Sequence, residues 1–393
     1  MRGERCKGVN MSVAMLKKLA VIIEKKDDGL FSYPVTKQKK YIRQFNSPKD
    51  EFERSYFQYC CQMKLYRPLL RIMLNIAALP LSVFYLVKYK RNRINSTDKH
   101  KCIFVKNGLP ENIVPTSLKQ GEREIVAVEI VENVLNKGDM TFLRNLFKRY
   151  PFSWMLWLKT IIKTSQYSAI ITKHSPEVLI SCDEFSFTSS IMTKYCRQNG
   201  IKRINVMHGE KLYFMRDSFV DYDEYYVWDQ YYVDLLVELG ARKEQFRVEL
   251  PESMVIKKRG DVCICYDYTY YLAAESKDTL QVISNTLRTL YDKGKRVSIR
   301  PHPRYSDMKL VNEMFDFANI EDYRSVTIEQ SLLQTDTAIS LFSTVLNQAV
   351  SNSIPIVIDD LSNRKHFEKL KELKYVVLNK EHMLLSEIIG ELE

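Results

Sequence analysis

From about residue 100 onward, short apolar runs alternate with longer segments of helical period. Runs of this kind appear at Cys102-Ile103-Phe104-Val105, at 122–131, at Val178-Leu179-Ile180-Ser181, at 201–207 and at Tyr225-Tyr226-Val227-Trp228. Between them, residues 139–150, 152–163, 187–199 and 230–239 read as helices, and Gly200 and Gly240 stand where a left-handed C′ residue ends a helix. Strand then helix, repeated, predicts parallel sheets with helices on their faces. Residues 248–260 read as a linker, and 261–266 as a buried strand opening a second unit. That unit continues with Val297-Ser298-Ile299-Arg300, an apolar run at 337–342, a helix from Val345, and Ile356-Val357-Ile358. Trp154 and Trp157 share one helical face and read as core. Residues 1–65 look helical and polar, with 11–23 the best amphipathic stretch. The expected division is a helical basic extension over 1–98, one Rossmann-like domain over 99–250 and a second over 251–393.

Residues 69–87 break the pattern. They are strongly apolar and ringed by Arg67, Arg71, Lys88, Lys90, Arg91 and Arg93. The run after Arg71 is interrupted by Asn75 and Pro80 and is shorter than the ~20 apolar residues a spanning helix needs. The expectation is a half-buried or interfacial helix whose basic flanks suit an anionic membrane surface. A core helix with snorkelling lysines fits the same pattern.

Charge sharpens this. The first hundred residues hold 21 Lys and Arg against 8 Asp and Glu, and the remainder 38 against 40. The excess belongs to one module, which argues against a general nucleic-acid binder. The eight cysteines are scattered without zinc spacing and read as free thiols of a reducing cytosol. No cleavable leader is read at the start. Tyrosines cluster at 221–232 and at 266–271. The second cluster is expected just past a strand, facing a cleft, where phenols suit sugars and bases; a half-buried turn is the plainer alternative.

Candidate chemistry sits where strands end. Arg300-Pro301-His302-Pro303-Arg304 puts an imidazole on a stiffened turn between two guanidiniums, a set that suits phosphate or carboxylate. Taken alone it could be a solvated surface turn. Ser343-Thr344 follows an apolar strand and starts a helix, where capping or anion binding are both open. Another strand runs into His208-Gly209-Glu210, and the strand before it into Asp183-Glu184. Asp221-Tyr222-Asp223 mimics an Asp-x-Asp metal motif but lacks its surroundings, so no metal site is expected.

In order and spacing these motifs resemble the GT-B glycosyltransferases of bacterial surface polysaccharide synthesis. The likeness is to the sialyltransferase, polysialyltransferase and Kdo transferase group, and more distantly to the CDP-glycerol glycerophosphotransferases. It covers about residues 100–370. It implies an α/β fold of two Rossmann-like domains facing across a cleft. It implies that His302, Ser343 and Thr344, with Arg300 or Arg304, hold the phosphate of a CMP-sugar such as CMP-sialic acid, without metal or cofactor. Some members carry an acidic pair before the glycine as catalytic base; this chain has Met207-His208 there. His208 is therefore the first choice for base, with Asp183, Glu184 and Glu210 in reserve. The expected activity is inverting transfer to an oligosaccharide or lipid-linked acceptor, in the cytoplasm or at the inner face of the cell membrane. Alditol-phosphate transfer from a CDP-alditol, a non-catalytic scaffold of a capsule assembly complex, and an epimerase of the same fold are the rivals. The His-Gly turn favours the first of them.

Overall fold

A computed structural model describes residues 33–95, 99–120, 124–256 and 263–392. The amphipathic stretch expected at 11–23 lies outside the described residues. Three helices come first: α1 (Val35–Ile42), α2 (Glu51–Lys64) and α3 (Pro68–Arg91). The first sheet is built from β1 (Cys102–Val105), β2 (Ile125–Val128), β3 (Val178–Ser181), β4 (Lys202–Val206), β5 (Glu224–Val227) and β6 (Phe246–Val248). Helices α4 (Lys137–Arg149), α5 (Trp154–His174), α6 (Ser189–Gln198) and α7 (Gln230–Glu238) alternate with these strands. The second sheet takes β7 (Tyr266–Tyr271), β8 (Val297–Arg300), β9 (Asn319–Ile320), β10 (Thr335–Ser340), β11 (Ile356–Ile358) and β12 (Met383–Leu384). Its helices are α8 (Lys277–Asp292), α9 (Met308–Met314), α10 (Ile328–Gln334), α11 (Thr344–Ser351), α12 (Arg364–Glu372) and α13 (Leu385–Gly390).

Both sheets are parallel throughout, in the orders β2-β1-β3-β4-β5-β6 and β12-β11-β10-β7-β8-β9. Parallel sheets covered on both faces need strands that are apolar along their whole length. β1, β3 and β8 accordingly bury all four residues each. Counted from β7, the second sheet runs 6-5-4-1-2-3, the doubly wound Rossmann order, whose strand direction of travel reverses between β7 and β10. In the first sheet the reversal falls between β1 and β3. The chain is thus α/β, two Rossmann-like domains across a cleft, the GT-B arrangement. Gly240 closes α7 with φ +90°, and a Cβ there would meet the Phe219 ring at 2.7 Å, so no other residue fits without displacement.

Two expectations need correction. The strand opening the second domain is Tyr266–Tyr271, not 261–266: Cys263 is exposed, Cys265 only half-buried, and residues 261–262 lie outside the described set. The tyrosine cluster is itself the strand rather than a cleft-facing turn. Tyrosine and threonine fit a pleated, packed surface well, and the two buried phenols find partners, Tyr270 on Asp359 at 2.6 Å and Tyr271 on Ser331 at 2.9 Å. Second, α1 and α2 are not a polar appendage. Val35 and Ile42 join a core with Tyr225 and Tyr232, and Phe52, Tyr59 and Met63 pack with Leu179 and Ile191. α3 is a continuous helix of 24 residues, longer than the apolar run suggested. Among the described residues it is the one helix long and apolar enough to cross a membrane by length and composition.

Candidate active site

Ser181 pairs with Asn205, so the loops leaving β3 and β4 emerge side by side at the carboxyl edge of the first sheet. Asp183 leaves β3 and meets Arg203 of β4, whose Nη2 donates to both carboxylate oxygens at 2.6 Å. Ser181 and Tyr167 hydroxyls also donate to it, at 3.0 and 3.2 Å. Arg203 is fully buried. Burial alone disfavours its charge, yet Asp183 and the surrounding phenols hold its pKa above the ordinary guanidinium value. Every acceptor site of Asp183 is thereby occupied, and the pair serves as an internal strut.

Glu184, the next residue, is buried and turned to the other loop. Lys211 Nζ lies 2.9 Å from its Oε1 and His208 Nδ1 lies 3.0 Å from the same oxygen, while Asn205 Nδ2 donates to Oε2 at 3.2 Å. Burial opposes its ionisation, but Lys211 and then His208 outweigh that and hold the carboxyl well below the usual carboxylate range. A carboxylate beside Nδ1 favours the tautomer that carries its proton there, although neither Nδ1 nor Lys211 Nζ makes an aligned hydrogen bond. The His208 ring stands edge-on to Phe185, centroids 5.2 Å apart, which limits its rotation.

Glu210 behaves differently. Both carboxyl oxygens are buried without a hydrogen-bond partner. Burial drives its pKa well above the ordinary value, and Lys211 only partly offsets this. Burial thus favours its protonated form, and its carboxyl lies close enough to the Tyr232 and Tyr375 phenols to raise their pKa values in turn.

On the second domain, β10 runs out through Leu341-Phe342 to Ser343, whose Oγ accepts from Val345 N at 3.2 Å and caps α11. Tyr375 braces this turn, accepting from Ser343 N and donating to Ser343 O at 3.1 Å. Ser343 is thus occupied as a cap, while Thr344, the first residue of α11, is exposed. A cavity of about 160 Å³ spans the seam between domains, lined by Ile113, His208, Trp228 and Met254 from one side and by Thr344 and Gln348 from the other. Trp228 donates its indole N–H to Met207 O at 3.1 Å, fixing the wall next to His208.

The basic-Pro-His-Pro turn follows β8, two strand spacings or about 10 Å from β10 across β7, outside the lining of that cavity. His302 Nδ1 accepts from Arg304 N at 3.1 Å and its ring stacks on Tyr305, centroids 4.5 Å apart. Burial first, then the Arg304 charge, lower its pKa, so the neutral ring presents an Nε2 N–H donor. Arg304 is exposed. Arg300 points into the sheet: Nη1 donates to Glu321 and Nη2 to Val326 O, both at 2.8 Å. Its guanidinium is engaged within the fold. Asp221 and Asp223 are likewise taken, by Arg242 and Arg197.

The structure also brings in residues that sequence reasoning passed over. Gln58 of α2 donates to Glu184 O and Arg216 O, and Gln62 to Phe185 O at 2.8 Å. The expected extension therefore clamps the loop that carries the catalytic candidate's carboxylate partner. Lys211 and Gln348 are the other additions; the former is legible in hindsight as a lysine three residues past a histidine at a strand end, the latter as one helical turn past Thr344.

No protein-family model and no curated protein matches the sequence. Among solved structures, the UDP-GlcNAc 2-epimerase of Methanocaldococcus jannaschii with UDP-GlcNAc and UDP is 12% identical over 72% of this chain and 94% of its own, with a TM-score of 0.41. S. aureus MnaA with UDP is 11% identical over 70% and 88%, TM-score 0.45. The wall teichoic acid polymerase TagF is 12% identical over 82% and 87%, TM-score 0.41. Likenesses this distant assign no chemistry to the chain.

Proposed function

We propose that the protein is a nucleotide-dependent transferase of cell-surface polysaccharide synthesis with His208 as its general base. The observation that carries this is the shared cavity, where an imidazole braced by Glu184 faces the start of α11 across the domain seam. An acceptor hydroxyl in that cavity gives its proton to His208 Nε2 as its oxygen attacks. The resulting imidazolium is stabilised by Glu184, which Lys211 keeps ionised against the cost of burial. The donor's phosphate takes the α11 N-terminus, with the Thr344 hydroxyl and the His302 N–H as donors, and the charge that develops on the departing nucleotide is met there. Arg304 supplies a guanidinium from the surface. These groups suffice without a divalent ion.

A CMP-activated sugar such as CMP-sialic acid is the donor this reading puts first, with inversion at the sugar carbon and an oligosaccharide or lipid-linked acceptor. The second reading is alditol-phosphate transfer from a CDP-alditol. It is favoured by one feature: at the cleft, His208-Gly209 stands where an acidic pair would be expected for sialyl transfer, and Asp183 is locked on Arg203.

The test is thermal-shift binding of the purified protein to CMP, CDP, UDP and GDP, with and without EDTA. A ligand that binds only the folded state raises the melting temperature by mass action. A shift with CMP that EDTA leaves unchanged supports the CMP-sugar reading. A shift with CDP moves it to the alditol reading, UDP or GDP to another sugar donor. No shift with any of the four overturns the proposal.

A further inference from the structure

Helix α3 has two unlike faces. At 3.6 residues per turn, Ala78, Ser82 and Tyr89 fall on one side, and these are its buried residues. Tyr89, with Tyr85 and Leu86 beside it, seats the helix on the core formed by Leu143 and Ile161. Leu69, Ile72, Met73, Ile76, Val83 and Val87 fall on the opposite side, and each is at least 46% exposed. The side chain of Asn75 donates to Phe152 O at 2.9 Å, which places a further exposed aromatic beside the same helix. The stripe continues over about 27 Å, from 18 residues at 1.5 Å each. A patch of this size is not left to water without reason.

Charge identifies the occupant. From residue 55 to residue 97 the chain holds Lys64, Arg67, Arg71, Lys88, Lys90, Arg91 and Arg93 and no acidic residue. Lys88, Lys90, Arg91 and Arg93 are exposed at the carboxyl end of the helix. A partner protein surface would need matching acids over an apolar groove; an anionic bilayer offers both chemistries at once, hydrocarbon under the stripe and headgroup phosphates at its ends. Because one face of α3 is packed against protein, the helix cannot be surrounded by lipid, so it lies along the bilayer surface rather than crossing it. We propose that α3 is an in-plane membrane-docking helix for anionic phospholipid.

The test uses the full-length protein in flotation with vesicles of phosphatidylcholine alone and with added phosphatidylglycerol, at low and high salt. The expected result is flotation with anionic vesicles, release at high salt, and retention in solution with neutral ones. Lys90→Gln/Arg91→Gln should weaken uptake about thirtyfold, since each basic group near an anionic surface contributes an affinity factor of about five. Val83→Ser/Phe84→Ser should abolish flotation without changing the melting temperature, because both side chains are already exposed. Equal uptake by neutral vesicles overturns the anionic assignment. Resistance to alkaline extraction overturns the in-plane one. A dimer in sedimentation velocity that Val83→Ser/Phe84→Ser dissociates, with no flotation, shows a second copy as the occupant, and a monomer that never floats rejects the proposal outright. None of these outcomes depends on the nucleotide chosen above.

Discussion

Three carboxyl groups stand within four positions of strand ends in the first domain, and their environments treat them differently. Asp183 is paired with a buried arginine, Glu184 is held ionised by a lysine and a histidine, and Glu210 has no hydrogen-bond partner and a pKa that burial raises. For Glu184 the role is positioning. Glu184→Gln keeps the shape but removes the charge that supports an imidazolium. It should lower turnover about a hundredfold and move the pH at which activity appears, because His208 loses its anionic neighbour. An unaltered pH profile would deny the coupling. His208→Ala should abolish transfer while nucleotide binding, read by thermal shift, persists.

Glu210 lends itself to a separate measurement. Its folded-state pKa lies above the unfolded one, so its contribution is least unfavourable below the ordinary carboxyl range, where both states are protonated. As pH rises past about 4.5 the unfolded state ionises and the folded state does not, so stability falls. Glu210→Gln should therefore raise the melting temperature at pH 8 and converge with the parent protein near pH 4. The reverse order of melting temperatures would show that the carboxyl is ionised in the fold.

At the scale of elements, strands and helices of the two sheets were legible because parallel βα units concentrate apolar residues into short runs, and His208, His302 and Ser343-Thr344 stand out as candidates because each follows such a run. Two things were hidden. β7 alternates tyrosine with threonine and aspartate, and local composition does not distinguish such a strand from a cleft-facing turn; only the Asp359 and Ser331 hydrogen bonds make the phenols internal. α2 looked polar because its glutamines and Ser55 are hydrophilic, yet they face inward to backbone groups: Ser55 Oγ accepts from Ile191 N at 3.0 Å. No period in the sequence reports a buried glutamine that serves a distant loop. Gln58 and Gln62 together hold residues 184 and 185, so Gln58→Leu removes the donor to Glu184 O and the acceptor of the Ser189 hydroxyl, while Arg216 O keeps Gln62. The expected cost is about 1–3 kcal/mol of stability, together with a loss in turnover. Urea denaturation alongside activity measures both; loss of stability with turnover intact would show that the clamp does not position Glu184.

The two domains share one interior. A single apolar cluster contains Tyr225 and Val227 of β5 together with Ala338 of β10 and Ile356 of β11. Hydrogen bonds cross the same seam: Val35 N to Glu372 Oε1 at 2.8 Å, Tyr213 N to Leu373 O at 2.7 Å, Tyr231 OH to Lys374 O at 2.9 Å, and Asn347 Nδ2 to Tyr232 OH at 3.1 Å. Lys380 and Lys374 add ion pairs to Asp229 and Glu238. Separating the domains would expose buried tyrosines and leave Asn347 and the Tyr232 hydroxyl without each other, so unfolding of either half should draw the other with it. Calorimetry should then give one transition, with calorimetric and van't Hoff enthalpies in agreement. Asn347→Ala weakens the seam without touching Thr344 or His208. If the cavity works only when both walls are held together, that variant should raise KM for the donor while leaving kcat within a few-fold, since the proposed chemistry uses the His208–Glu184 pair inside one domain. Two resolved transitions in the parent protein, or a fall in kcat with KM constant, would show that the seam is not what assembles the site.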